Sequence, residues 1–205
     1  MDDQTTQRSL KIILLAAGLS RRLEGEQKLL KFYNGKPLFL YSLSSALKTA
    51  DVILVTGHES QKIISVANEF VSCIPDLKHS LKCVKNTNYS KGQYTSVICG
   101  IQNTEDECDF ALSVSDAPFV TSSDYEKLYT FLPLYDVVRP FVNGIPCHPV
   151  FFKSHLKKLF LNNVDYNSVR SLINDNKDKL KILNKNYTDN DKMCIDFDYA
   201  ECFDT

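Results

Sequence analysis

Three groups of residues in this chain combine side-chain types and spacings that could do chemistry. The first lies in residues 14–28, Leu-Leu-Ala-Ala-Gly-Leu-Ser-Arg-Arg-Leu-Glu-Gly-Glu-Gln-Lys. Ala16, Ala17 and Gly18 remove nearly all side-chain bulk at one point, which lets backbone N–H groups approach a ligand closely. Ser20, Arg21, Arg22 and Lys28 set hydroxyl and cationic groups just beyond. Cations after a bare backbone loop suit a polyphosphate, and the expectation is a nucleoside triphosphate cradle. The second group is Asp116, followed by Ala117-Pro118. A carboxylate at a strand end can hold Mg²⁺, which needs one or two carboxylates and completes its shell with waters and substrate phosphates. The third is Asp196 with Asp198. Residues two apart on a strand face the same side, so both acids point into a cleft or neither does.

The elements needed to position these groups can be read from periodicity. Residues 11–15 are β-branched and apolar, as in a fully buried parallel strand that delivers the chain to Ala16. Residues 28–33 read as a short extended piece, and Asn34-Gly35 as a turn. Pro37 is placed to open a helix carrying Leu40, Leu43 and Leu47 on one face. Strands are expected at 51–56, 81–84 and 110–114, the last ending at Asp116. Helices are expected at 59–70, 93–101 and 122–131, the last with Ser123 and Glu126 as a capping box. Strands at 135–142 and 147–152 flank an Asn143-Gly144 hairpin turn. Residues 153–161 and 168–174 read as helical, 180–183 and 192–197 as late short strands. The Lys-, Asn- and Asp-rich run 174–191 reads as a solvated, loosely held surface. This alternation predicts an α/β fold, a mainly parallel Rossmann-like twisted sheet between two helical layers, with the hairpin as an insertion or mixed edge. In such a sheet ligands bind beyond the carboxyl ends of the strands, where the opening loop and Asp116 both fall.

Composition narrows the function classes. The 205 residues are 43% apolar with a net charge of −1, which fits a single domain over 1–205, with 1–9 as a polar lead-in. A balanced charge gives no surface for tracking nucleic acid. No apolar run approaches a membrane span. The seven cysteines include no Cys-x-x-Cys pair, so a zinc or redox motif is not expected. Several lie in apolar runs, where a free thiol acts as a small hydrophobe, and a reduced, cytoplasmic compartment is the expectation. Neither Gly-x-Gly-x-x-Gly nor Gly-x-x-x-x-Gly-Lys-Ser/Thr occurs.

Taken in order, several segments resemble the MobA-like nucleotidyltransferases, most closely the molybdenum cofactor cytidylyltransferase branch. Leu15-Ala16-Ala17-Gly18, Ser20, Arg22 and Lys28 match the family's opening signature, with Leu23 for its Met and Glu24 for its Gly. Asn88, Gly92, Ser96 and Gly100 resemble its middle motif, and Asp116-Ala117-Pro118 its Asp-x-Pro metal motif. Cys147-His148-Pro149-Val150 resembles its Gly-His-Pro-Val segment, and Asp196-Phe197-Asp198 its terminal acidic motif. The branch's Gly-Asp-x-Gly-Ala-Arg run is poorly matched by residues 164–170, Val-Asp-Tyr-Asn-Ser-Val-Arg.

The resemblance implies a nucleotide-diphospho-sugar transferase-like fold and attack of an acceptor phosphate on the α-phosphate of a nucleoside triphosphate. It assigns Leu15, Ala16, Ala17, Gly18, Ser20, Arg22, Lys28 and Ser96 to the nucleotide. Arg22, Lys28 and Asp116 would carry the reaction, Asp116 and Asp198 would hold Mg²⁺, and His148 with Pro149 would meet the acceptor. Leu-Ala-Ala-Gly accompanies CTP and Leu-Ala-Gly-Gly accompanies GTP, and a Cβ at Ala17 narrows the space over a base. The implied acceptor is a phosphorylated pterin, molybdopterin, with a molybdenum hydroxylase as recipient of the product. Two other readings stand beside it. One is a nucleotidyltransferase for a sugar or alditol phosphate. The other is a non-catalytic cofactor carrier, which would have no need to keep Arg22, Lys28 and a pair of metal acids.

Overall fold

The computed structural model describes residues 9–18, 27–195 and 197. In chain order its elements are β1 (Leu10–Ala16), β2 (Phe32–Tyr33), β3 (Lys36–Pro37), α1 (Phe39–Leu47), β4 (Asp51–Thr56), α2 (Ser60–Ser72), β5 (Leu81–Lys85), α3 (Gln93–Ile101), β6 (Asp109–Val114), α4 (Ser122–Tyr129), β7 (Val137–Val142), β8 (Ile145–Pro146), β9 (Val150–Phe152), α5 (Lys157–Leu161), α6 (Val169–Asp175) and β10 (Ile182–Asn186). The main sheet runs β10-β7-β9-β6-β1-β4-β5, with β8 paired to β7. β5, β4, β1 and β6 are parallel, as are β7 and β10, while β9 lies antiparallel between β6 and β7.

Alternation along β1 makes the three layers. Ile12, Leu14 and Ala16 face one core with Phe39, Leu43, Ile63 and Tyr125, from α1, α2 and α4. Ile13 and Leu15 face the other with Tyr94, Val97, Phe160 and Leu172, from α3, α5 and α6. A strand buried on both faces reads as a continuous apolar run, as residues 11–15 do.

Four expectations are corrected. Pro37 does not open α1 but closes a β2–β3 hairpin through Asn34 (φ 44°) and Gly35 (φ 81°), the left-handed pair of a tight hairpin turn. The cap of α4 is Thr121, whose hydroxyl takes the Asp124 N–H while the Asp124 carboxylate takes the Thr121 N–H; Ser123 and Glu126 are not the box. Asn143-Gly144 does make a hairpin, but with the two-residue β8; β9 leaves it through a cis His148–Pro149 bond and enters the middle of the sheet. Residues 191–194 form a 3-10 turn where a late strand was expected.

The polar run 174–191 is not loose. It contains β10, and Tyr187 donates to Asp124 Oδ1 (2.8 Å) while the Asn190 amide donates to Asp124 Oδ2 (2.7 Å) and to the Phe119 carbonyl (2.8 Å). Its composition concealed an anchor that depends on a single buried acid. Cys147 and Cys194 are disulfide-bonded, with Cα atoms 5.2 Å apart, against the expectation of free thiols; Cys73, Cys83, Cys99 and Cys108 are free. Among the described residues no helix is long and apolar enough to cross a membrane.

Candidate active site

β1 and β6 end side by side. The Ser115 N–H donates to the Leu15 carbonyl (3.1 Å), and Ser42 from α1 donates to the Ser115 carbonyl (3.2 Å). This fixes the backbone just before Asp116. Ala16 and Ala17 are buried at the end of β1, and Gly18 opens onto free space, with nothing within 4 Å of where its Cβ would lie. The chain returns at Gln27, a buried residue whose amide donates to the His58 carbonyl (3.2 Å) beyond β4. Lys28 follows at the start of the 3-10 turn Lys28–Leu30, and its Nζ donates to Asp116 Oδ2 at 2.6 Å. The lysine and aspartate side chains are 13% and 27% exposed, so the pair is half-sheltered and reachable from solvent. The first and second chemical groups of the sequence therefore meet in one place.

The side of the loop away from Asp116 is walled by Gly57 and Tyr89. A Cβ on Gly57 would fall 2.6 Å from Tyr89 Cβ and 2.9 Å from Ala17 Cβ, so only glycine lets these segments close on Ala17. Ser96 is buried in α3. It accepts from the Asn86 amide (2.9 Å), which also donates to Thr95 Oγ1 (2.9 Å), while Asn86 Oδ1 accepts the Asn88 N–H (2.9 Å). Gly92 (φ 126°) starts α3 in a conformation that L side chains rarely adopt. Gly100 lies where a Cβ would be 2.3 Å from Ile13 Cγ2, so it serves helix–strand packing.

His148 lies on the other flank of β1, its Nδ1 3.1 Å from the Leu112 carbonyl. It lines a cavity with Leu15, Gln93, Tyr94, Arg139 and Arg170; Pro149 is buried and does not line it. Ser20, Arg21, Arg22, Asp196 and Asp198 lie outside the described residues. Phe197, between the two acids, is buried against Leu38 and packs on Tyr33 (ring centroids 4.7 Å apart) and Phe119 (5.7 Å).

The profile of the MobA-like NTP transferase domain matches residues 12–180. The chain belongs to that family. This MobA-like transferase is 28% identical to the molybdenum cofactor cytidylyltransferase of Escherichia coli K12 over 144 residues, 69% of each chain. Solved structures share its fold. The Rv0371c protein of Mycobacterium tuberculosis superposes with a TM-score of 0.74 at 17% identity over 95% of both chains. A complex of the same protein with manganese gives a TM-score of 0.67 at 13% identity over 95% of both chains. The 4-diphosphocytidyl-2C-methyl-D-erythritol synthase of Anaerococcus prevotii gives 0.73 at 13% identity, over 95% of this chain and 94% of that one.

As a nucleotidyltransferase, the chain needs a phosphate cradle, charge neutralisation and an acceptor pocket. For the metal, the donor set fits a hard cation: Asp116 offers a carboxylate oxygen now held by Lys28, with Mg²⁺ needing few protein ligands when phosphates complete its shell. No cluster of three or more His, Cys, Asp or Glu occurs among the described residues. Four residues carry no clear sequence signal: Gly57 belongs to no motif, Arg139 sits inside an apolar strand, Tyr94 falls between the matched positions, and Arg170 ends the poorly matched run 164–170. Asp165, in the run that matches the branch poorly, lines a separate polar depression with Tyr166, Asn167 and Asp175.

Proposed function

We propose that this single-domain transferase moves a cytidylyl group from CTP to the terminal phosphate of a molybdopterin-type cofactor and releases pyrophosphate. The observation that carries the reading is the Lys28–Asp116 pair at the mouth of the bare loop. An acceptor phosphate oxygen forms the new bond to the α-phosphorus as the bond to the β-phosphate oxygen breaks, and the electron pair leaves with pyrophosphate. The attacking phosphate is ionised at neutral pH, so no general base is required. Such chemistry asks the protein for positioning and electrostatics. The amides at Ala16–Gly18 and the residues Leu15, Ser20 and Ser96 hold the nucleotide, Ser96 by fixing Asn86. Arg22 and Lys28 offset charge gathering on the leaving group, Lys28 exchanging Asp116 for phosphate oxygens.

Asp116 and Asp198 would hold Mg²⁺, which supplies charge neutralisation between the two reacting phosphates. Packing of Phe197 on Phe119, three residues past Asp116, supports bringing the terminal acids to this end of the sheet. His148 flanks the acceptor with Pro149 fixing its turn. Ala17, pressed by Gly57 and Tyr89, favours a small pyrimidine over guanine. The same reading sets the enzyme in the cytoplasm, where a molybdenum hydroxylase would receive the product; there the Cys147–Cys194 bridge faces a reducing medium.

The test is pyrophosphate release by the purified full chain with Mg²⁺ and molybdopterin, CTP against GTP, with an alditol phosphate as a second acceptor. Release with pterin and CTP is expected, and its loss in Asp116→Asn. Faster release with GTP overturns the base assignment, and turnover with the alditol phosphate alone overturns the acceptor.

A further inference from the structure

A cavity of about 210 Å³ opens beside the end of β1. Its floor is apolar, from Leu15, Val97, Leu112, Val150 and Ile173, yet Arg139 and Arg170 both line it. No Asp or Glu is among the described residues that line it. The two guanidinium groups form no ion pair among those residues either. Arg139 is held in place without being neutralised. Its Nε and Nη2 donate to Asn184 Oδ1 (3.2 and 3.0 Å), and its guanidinium lies 4.8 Å from the Phe141 ring centroid. Burial first, and repulsion from Arg170 second, lower the Arg139 pKa, so the two cations sense each other across this space.

A second, independent feature marks the same cavity. Tyr94 lines it, is only 2% exposed, and its hydroxyl has no hydrogen-bond partner. Its ring is stacked on Phe160. Burial, and then Tyr166, push its pKa up to about 12, so the hydroxyl keeps its proton and remains a donor. A buried donor left unmade is unfavourable, and so is a part-buried guanidinium with a second cation, not a carboxylate, beside it. All three are relieved by one kind of ligand, an oxyanion, which guanidinium binds through paired N–H donors and a phenol binds through its O–H.

We propose that Arg139, Arg170 and Tyr94 form an oxyanion subsite that grips a second anionic group of the acceptor, distinct from the phosphate that attacks. Neither Lys28 nor Asp116 lines this cavity, so the subsite lies apart from the reacting end. The proposal rests on the transferase reading for the identity of the acceptor and adds its class, a molecule anionic at two separated points. An alditol monophosphate, with only hydroxyl groups at its far end, would leave the arginines unmet. The shared chemistry is an oxyanion. Its sources are the acceptor's second group and the triphosphate of the nucleotide, and the experiment separates them.

Titration calorimetry on the full chain would use inorganic phosphate as the probe, then CTP with Mg²⁺. The expected result is one-to-one phosphate binding that weakens at least tenfold in Arg139→Gln and in Arg170→Gln, less in Arg170→Lys, and about threefold in Tyr94→Phe. CTP affinity should stay within twofold of wild type in each variant. In turnover, Arg170→Gln should raise the KM for the pterin acceptor at least tenfold and leave that for CTP unchanged. Arg170 is exposed, so its variants keep the fold even where Arg139→Gln does not, and a thermal melt reports this. Phosphate binding unaltered by the Arg170 substitutions overturns the proposal. So does a parallel loss of CTP affinity, which would assign the pair to the triphosphate. Phosphate binding is read without turnover; a wild-type protein releasing no pyrophosphate would instead defeat the transferase reading.

Discussion

Removing Lys28 should strengthen metal binding by the enzyme without nucleotide. Lys28 Nζ and Asp116 Oδ2 are 2.6 Å apart, with side chains 13% and 27% exposed. At an effective dielectric near 20, unit charges at that distance attract by roughly 6 kcal/mol before desolvation and side-chain entropy are charged against them. Those opposing terms leave a partly exposed pair with about 1 kcal/mol or slightly more. A net 1.4 kcal/mol corresponds to about a factor of ten in affinity. A cation approaching Asp116 must first displace the ammonium, so Lys28→Met should raise Mn²⁺ affinity about tenfold when no nucleotide is present. With CTP bound the sign reverses for catalysis. The ammonium is then needed on the phosphates, and its loss should lower kcat/KM for CTP on the order of 100-fold. Electron paramagnetic resonance titration of free Mn²⁺ measures the first effect and pyrophosphate release the second, with Asp116→Asn as the variant that should lose both. If Lys28→Met bound Mn²⁺ no more tightly than wild type, Asp116 would not be the carboxylate that meets the metal, and the exchange argument would fail.

Three further outcomes follow from local geometry. Gly57→Ala, whose new Cβ meets Tyr89 and Ala17 at under 3 Å, should cost about 1–3 kcal/mol and weaken CTP binding; Gly18→Ala, with open space around it, should leave stability within about 0.5 kcal/mol, so urea melts of the two should differ. Asp124→Ala strands the Tyr187 hydroxyl and the Thr121 N–H and leaves the Asn190 amide only the Phe119 carbonyl, and a loss of about 2–4 kcal/mol is expected in the same melts. Burial raises the Asp51 pKa, but the Lys11 and Ser80 hydrogen bonds outweigh it and bring it down to about 2. A carboxylate with a depressed folded pKa contributes stability that is present above its unfolded value and lost as pH falls through the folded one. Asp51 is about a third exposed, so after solvent screening roughly 1 kcal/mol should disappear between pH 4 and pH 2, and Asp51→Asn should flatten that part of the pH–stability curve.

The Lys28–Asp116 end of the candidate site was legible because its parts are nearly contiguous. An apolar strand, three small residues and a lysine announce a strand-end loop, and Asp116 is marked by the strand before it. Their meeting at 2.6 Å follows from β1 and β6 being parallel neighbours. The arginine-lined cavity was not legible, because it draws residues from β1, α3, β6, β7, β8, β9, the connection between the last two, and α6. In sequence Arg139 is one cation in an apolar strand. Only β10, which places Asn184 beside it, shows that its guanidinium is held against the sheet. The strand expected at 180–183 is β10, shifted to Ile182–Asn186, but its anchoring went unseen for the same reason: composition marks 174–191 as surface, and no local pattern shows that Tyr187 and Asn190 end on Asp124.

That acid joins α4 to the late chain. Asp124 caps α4 with one oxygen and holds Asn190 with the same one, while its other oxygen takes Tyr187. The chain then runs through the Asp191–Cys194 turn to Phe197, which is buried against Leu38 and meets Phe119 on the loop that leaves Asp116. A segment with few apolar residues is thereby carried back over the carboxyl end of β6 by three hydrogen bonds and one aromatic contact. Cys194, bonded to Cys147 beside His148, ties the same segment to the cavity lined by Arg139 and Arg170. The late chain therefore runs between the loop that follows Asp116 and the cavity that His148 lines, which explains why a stretch that reads as solvated surface is held at both.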